Sequence, residues 1–365
     1  MRYSLLCFIF SVFTLTACHS QSSNSGTWSV IDIPAPSLSH SMLESDANKA
    51  IGIYLPPSYE TSHAKNYPVV YFLEGYSSGI YDKGYTCWIL DTLIQKKQVP
   101  EMIMVNVSGR YSMGGSFYEN SPVTGNWEDF VVNDVVNYID NNYRTIQKPE
   151  SRAITGHSMG GYGALNLAML HPNVFKVTYS MSPGAFDEDG LAQCQIFRNG
   201  GTIQPILELL EKLKPLNKED AHKAYMDYIT NIKDWNIEFT LAYGMTFAPN
   251  TSKAPYFDYP LSVNGSDTIR NEQIWLKWEK GYGGIENDID NYQNNLKALN
   301  LLAIDCGYND DFAWITEGTI YYSDLLTDKQ LPHIMNWHLG THGSRYTESI
   351  QFGLFPTVAS ILHFK

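Results

Sequence analysis

The chain has 365 residues, of which 44% are apolar and 17% charged, a balance that permits a large core and excludes a disordered polymer. Its formal charge of −13 comes with no basic stripe to neutralise phosphates, which argues against nucleic acid as a partner.

The N-terminus reads as a targeting segment. Arg2 precedes an apolar run, Leu5 to Phe13, and then Leu15-Thr16-Ala17-Cys18. A positive start, a short apolar stretch and small residues before a cut mark a secretory signal, predicted here over residues 1–17. The cysteine at the cut resembles that of bacterial lipoproteins, so Cys18 is predicted to carry the lipid of an exported, membrane-anchored protein at the periplasmic or cell-surface side. The run falls short of the roughly 20 residues of a spanning helix. Residues 18–26, mostly Ser, Gln and Asn after the cysteine, read as a tether. Loss of Arg2 with the signal brings the charge to −14.

Residues 27–365 are predicted to form one α/β domain. Short apolar runs at 51–55, 68–73, 102–107, 153–155, 176–181, 301–305 and 334–338 suit strands buried on both faces, the first two as an antiparallel entry. Between them, Val132, Val135, Val136 and Ile139 define a helix over 127–140 capped by Asn126, and a second runs over 159–170. Alternating strands and helices predict a mostly parallel central sheet covered on both sides. Residues 185–300 break the rhythm and read as an inserted helical lid. One helix carries Ile203 to Leu213, another Ala221 to Ile232, and a third, capped by Ser266, carries Trp275 and Trp278.

Gly156-His157-Ser158-Met159-Gly160 fits G-x-S-x-G between a strand and an apolar helix, the setting of a nucleophile elbow. The sharp turn needs small neighbours, and Gly156, Gly160, Gly161 and Gly163 supply them. A serine nucleophile requires a base and an orienting carboxylate, in the chain order Ser, acid, His. Among the C-terminal histidines 333, 338, 342 and 363, His342 follows the last strand in a glycine-flanked loop. After the strand 301–305, Asp310 is the favoured acid, with Asp311 and Asp305 as rivals. The oxyanion donors are read as the amides of Met159 and of Tyr76, which follows Glu74-Gly75 after an early strand.

From about Lys49 to Phe364 the chain resembles the esterase branch of the α/β hydrolases that includes esterase D, feruloyl esterases and mycobacterial mycolyltransferases. The resemblance lies in Pro68 to Gly75, Ser116-Phe117-Tyr118, Tyr143-Arg144-Thr145, Gly156 to Gly161, Gly307-x-x-Asp310 and Gly340-Thr341-His342. It implies Asp310 as the acid and Tyr76 and Met159 as donors. Glu74 departs from the His or Asp that many relatives carry there, and the insertion exceeds that of compact relatives.

The expected function is hydrolysis of a carboxylic ester through an acyl-enzyme on Ser158, without cofactor or metal. The resemblance implies a small-molecule or glycan-linked ester, carbohydrate-linked or with an aromatic acyl group. Trp88, Phe117, Tyr118 and Trp127 are candidate stacking surfaces, the alternative for each being core. Acyl transfer to a sugar hydroxyl and a non-catalytic glycan-binding lipoprotein are the competing functions. The acidic run Asp187-Glu188-Asp189 lacks calcium-loop spacing. Cys87, Cys194 and Cys306 permit one disulfide or none, and no motif bears on oligomeric state.

Overall fold

The computed structural model describes residues 25–44, 47–80, 84–264 and 267–365. The predicted signal, Cys18, most of the tether and Ser266 lie outside the described residues.

Eight strands form the central sheet: β1 (Thr27–Pro34), β2 (Asn48–Leu55), β3 (Val69–Leu73), β4 (Ile103–Val107), β5 (Arg152–His157), β6 (Val177–Met181), β7 (Leu301–Gly307) and β8 (Ile334–His338). Their order is β1-β2-β4-β3-β5-β6-β7-β8. All pairs from β4 to β8 are parallel, whereas β2 runs antiparallel to both β1 and β4. The expected antiparallel pairing of 51–55 with 68–73 therefore does not occur. β2 turns on β1, an edge strand whose largely solvent-facing side chains mute its apolar signal.

β3 and β4 are buried along their whole length. Side chains alternate between two cores: Val69, Tyr71 and Leu73 face one, Val70 and Phe72 the other. The first helix, α1 (Gly84–Gln95), packs Leu90 and Leu93 into the second core, and α2 (Met159–Leu170) packs Ala164 and Leu167 into the first.

The helix expected over 127–140 is in three parts, with a π-helical turn at Phe130–Val135 between α-helical Trp127–Asp129 and Val136–Asn142. Asn126 stands at its start but makes no side-chain cap and instead pairs with Asn120 in a short ribbon.

Within 185–300 lie α3 (Gly200–Leu213), α4 (Lys218–Thr230), α5 (Trp235–Phe247), α6 (Glu272–Glu279) and α7 (Ile285–Lys297). Asn271, not Ser266, caps α6, its Oδ1 accepting from the Ile274 amide. On α7, Ile285, Ile289 and Leu296 pack with Leu165 and Met169 of α2 and with Tyr322 and Leu326 of α8 (Ala313–Asp328). Cys87, Cys194 and Cys306 are all buried and form no disulfide among the described residues, and burial pushes each thiol up to about 12.

Candidate active site

Ser158 sits between β5 and α2 with φ 59° and ψ −119°, a conformation that L side chains adopt only under constraint. The constraint is close backbone packing. A Cβ on Gly160 would lie 2.0 Å from the Leu73 carbonyl oxygen, and one on Gly156 would lie 2.3 Å from that of Gly160. The Ser158 amide donates to the Met181 carbonyl at 2.9 Å, fixing the turn at the C-terminal ends of β5 and β6. The next residue, Met159, opens α2, where a first-turn amide has no intrahelical acceptor.

His342 and Asp310 meet on the loops that follow β8 and β7, with the His342 ring 4.5 Å from that of His157, the residue before Ser158. Asp310 Oδ2 accepts from His342 Nδ1–H at 2.8 Å, leaving the Nε2 lone pair as the basic position. Asp310 Oδ1 accepts the Phe312 amide at 2.9 Å, its side chain is fully buried, and the Phe312 ring meets His342 edge-on at 5.1 Å. The acid and base loops are tied together: the Asn309 amide donates to the Gly340 carbonyl, and Asn309 Nδ2 donates to that of Leu339. A Cβ on Gly307 would lie 2.3 Å from the Gly340 oxygen, so this approach needs a glycine.

The rival residues are engaged elsewhere. Asp305 accepts from Ser349 Oγ at 2.8 Å and pairs with His338 Nε2 at 3.3 Å; burial raises its carboxyl pKa. Asp311 is exposed, and His333 pairs with Ser323.

The loop Glu74-Gly75-Tyr76 lies against the elbow, with Gly75 placed so that a Cβ there would sit 3.4 Å from the His157 oxygen and 3.7 Å from Ser158 Cβ. A clamp holds this loop. The Tyr118 hydroxyl contacts the carbonyls of Glu74 (2.7 Å) and Val107 (3.0 Å) and accepts from the Gly109 amide (3.1 Å). Tyr118 and Phe117 have φ of 58° and 56° and are wholly buried, and Trp127 is 2% exposed. These three side chains are core, closed to a substrate's ring. Trp88, by contrast, is 59% exposed on α1.

Sequence reasoning missed Trp235. Its ring stacks on Phe312 (5.8 Å, 28°) and Phe239 (5.1 Å, 29°) and meets Tyr76 edge-on at 5.7 Å. It thereby joins the loop proposed for the oxyanion to the acid loop. A cavity of about 420 Å³ lies beside Phe312, lined by Gln193, Gln195, Asn199, Asn236, Asp311 and Glu317 among others. On the Tyr76 side a second cavity, about 520 Å³, is lined by Lys49, Ser77, Arg110 and Glu238 among others. Among the described residues no group of acidic, His and Cys side chains is arranged to hold a metal ion.

The sheet order, the elbow at the strand ends and the acid and base loops that follow in chain order define an α/β-hydrolase fold. Residues 42–194 match the family described as "Putative esterase". An esterase of Mycobacterium tuberculosis is 28% identical over 170 residues, 43% of this chain and 36% of the relative. An S-formylglutathione hydrolase of Arabidopsis thaliana is 29% identical over 149 residues, 36% of this chain and 50% of that one. The chain thus spans about a third to a half of these relatives' length. Among solved structures, a ferulic acid esterase superimposes with a TM-score of 0.60 at 19% identity, covering 92% of this chain and 98% of that one. A fluorophosphonate-binding serine hydrolase of Staphylococcus aureus gives 0.55 at 16%, covering 93% and 99%. These likenesses are of fold.

Proposed function

We propose that the protein hydrolyses carboxylic esters through an acyl-enzyme on Ser158. The observation that carries this reading is the 2.8 Å bond from His342 Nδ1 to the buried Asp310 carboxylate, beside a serine held in a nucleophile elbow. His342 Nε2 takes the Ser158 proton as the hydroxyl oxygen attacks the ester carbon, and the amides of Met159 and Tyr76 receive the oxyanion. His342 then returns the proton to the leaving alcohol, and water cleaves the acyl-serine by the same steps. The relatives' and neighbours' names, esterase, S-formylglutathione hydrolase and ferulic acid esterase, support this chemistry.

The leaving alcohol departs on the side of the base, where the amide-lined cavity lies next to Phe312. Amides, a carboxylate and an aromatic wall match a polyhydroxylated alcohol, which favours a carbohydrate-linked ester. Trp235 would stack an aromatic acyl group. The same cavity would serve a sugar as acyl acceptor, and product analysis with added sugar separates transfer from hydrolysis. Cys18 is proposed to carry the lipid that anchors the exported chain, a reading checked by the mass of the N-terminal peptide.

The test of the chemistry is turnover of p-nitrophenyl acetate by the wild type and by Ser158→Ala. The variant should be inactive; equal rates would remove the reading.

A further inference from the structure

We propose that the outer face of α1, bearing Tyr85 and Trp88, rests on the headgroup boundary of the bilayer to which the chain is anchored. The proposal rests on the lipid-anchor reading of Cys18. Tyr85 and Trp88 are 54% and 59% exposed, one helical turn apart, and Thr92 continues the same exposed face. Large amphipathic rings exposed side by side suit a membrane interface, where one end is apolar and the other wet. Lys96 and Lys97, also exposed, follow the helix directly and suit anionic headgroups.

The occupant is identified by where the chain enters the fold. The Gly26 amide donates to Asp91 Oδ1 on α1 at 2.7 Å, and Gln95 Nε2 donates to Ser25 Oγ at 3.1 Å. Asp91 is held in turn by the Tyr54 hydroxyl at 2.7 Å. Ser25 and Gly26, the first described residues, therefore lie against this helix. Only the seven residues 19–25 separate Cys18 from Gly26, so the extended chain reaches at most about 30 Å. A lipid at Cys18 holds α1 within that distance of the membrane. One end of the face also borders the catalytic base. The Thr347 hydroxyl lies 3.4 Å from that of Tyr85, and Thr86 and Tyr346 hydroxyls are 3.2 Å apart, with the Tyr346 ring edge-on to His157. Seated this way, the enzyme presents its base loop at the membrane surface.

The test uses the full chain in vesicles of phosphatidylethanolamine and phosphatidylglycerol, spin-labelled at Thr92→Cys or, as control, at Lys212→Cys on α3. The three buried native thiols do not compete for the label. The ratio of oxygen to nickel-chelate accessibility at position 92 should exceed that at 212 several-fold, and Tyr85→Ser with Trp88→Ser should abolish the excess while vesicle association persists. Equal ratios in vesicle-bound protein overturn the proposal and leave the anchor standing. If mass spectrometry finds Cys18 unmodified, the anchor reading fails, and the same ratio with vesicles added, on chains carrying Cys7→Ser and Cys18→Ser, decides alone: an excess upholds the face, none overturns it. Spin–spin broadening at 92 without vesicles means a second copy covers the face, which also overturns it.

Discussion

The backbone carbonyl of His342 accepts a hydrogen bond at 2.7 Å from Nε2 of His157, the residue directly before Ser158. Their rings lie 4.5 Å apart. Because a carbonyl only accepts, His157 must carry its proton on Nε2. The base loop is thus fastened to the elbow by the elbow's own sequence. His157→Leu should lower kcat about 10- to 100-fold through misplacement of the base, with KM little changed. His157→Gln, which keeps a donor, should recover part of the loss. Steady-state kinetics on one ester checks both variants.

Asp310 and Asp311 differ by one position and by their whole environment. Asp310→Asn would leave an amide that favours the wrong histidine tautomer, and kcat should fall about 10⁴-fold. Asp311→Asn removes an exposed carboxylate at the rim of the polar cavity and should change p-nitrophenyl acetate turnover little. Comparing the two variants by kcat separates the acid from its neighbour.

Trp235 holds Tyr76 and Phe312 in one aromatic arch. Trp235→Ala should raise KM for an aromatic ester about 3- to 10-fold, the scale of one or two ring contacts. It should affect acetate esters much less. Equal loss on both would point to a general collapse of α5, which circular dichroism would reveal.

The local fold around the candidate site was legible in the sequence where the chain is its own context. The strand, Ser158 and the glycine-flanked helix are contiguous, and His342 and Asp310 follow in an order the fold dictates. Trp235 was not legible, because α5 is buried around most of its circumference and shows no amphipathic stripe. Phe117 and Tyr118 look like a substrate surface in one dimension. Both are buried in the core with left-handed backbone, and no periodicity reports that. β1 was missed for a related reason, since an edge strand exposes much of what a central strand buries.

Glu119 is half-buried beside α2, accepting from Tyr162 Oη at 2.7 Å and Asn166 Nδ2 at 2.6 Å, and desolvation pushes its carboxyl up to about 8. A folded value above the unfolded one means that unfolding releases a proton between the two. Its contribution is then fully present below about pH 4.5 and lost as pH rises through about 8. Relative to Glu119→Gln, wild-type stability should fall across that window by up to about 1.4 kcal/mol per pH unit. Urea midpoints of both proteins between pH 5 and 9 check this; parallel curves would contradict it.

The most direct test of the catalytic account is covalent capture. Wild-type protein treated with an alkyl fluorophosphonate should lose its esterase activity as one phosphonyl group is added, and peptide mapping should place that group on Ser158. The Ser158→Ala chain, folded by circular dichroism, should take up none. Undiminished activity after treatment, or an inactivating adduct on another residue, would contradict Ser158 as the nucleophile.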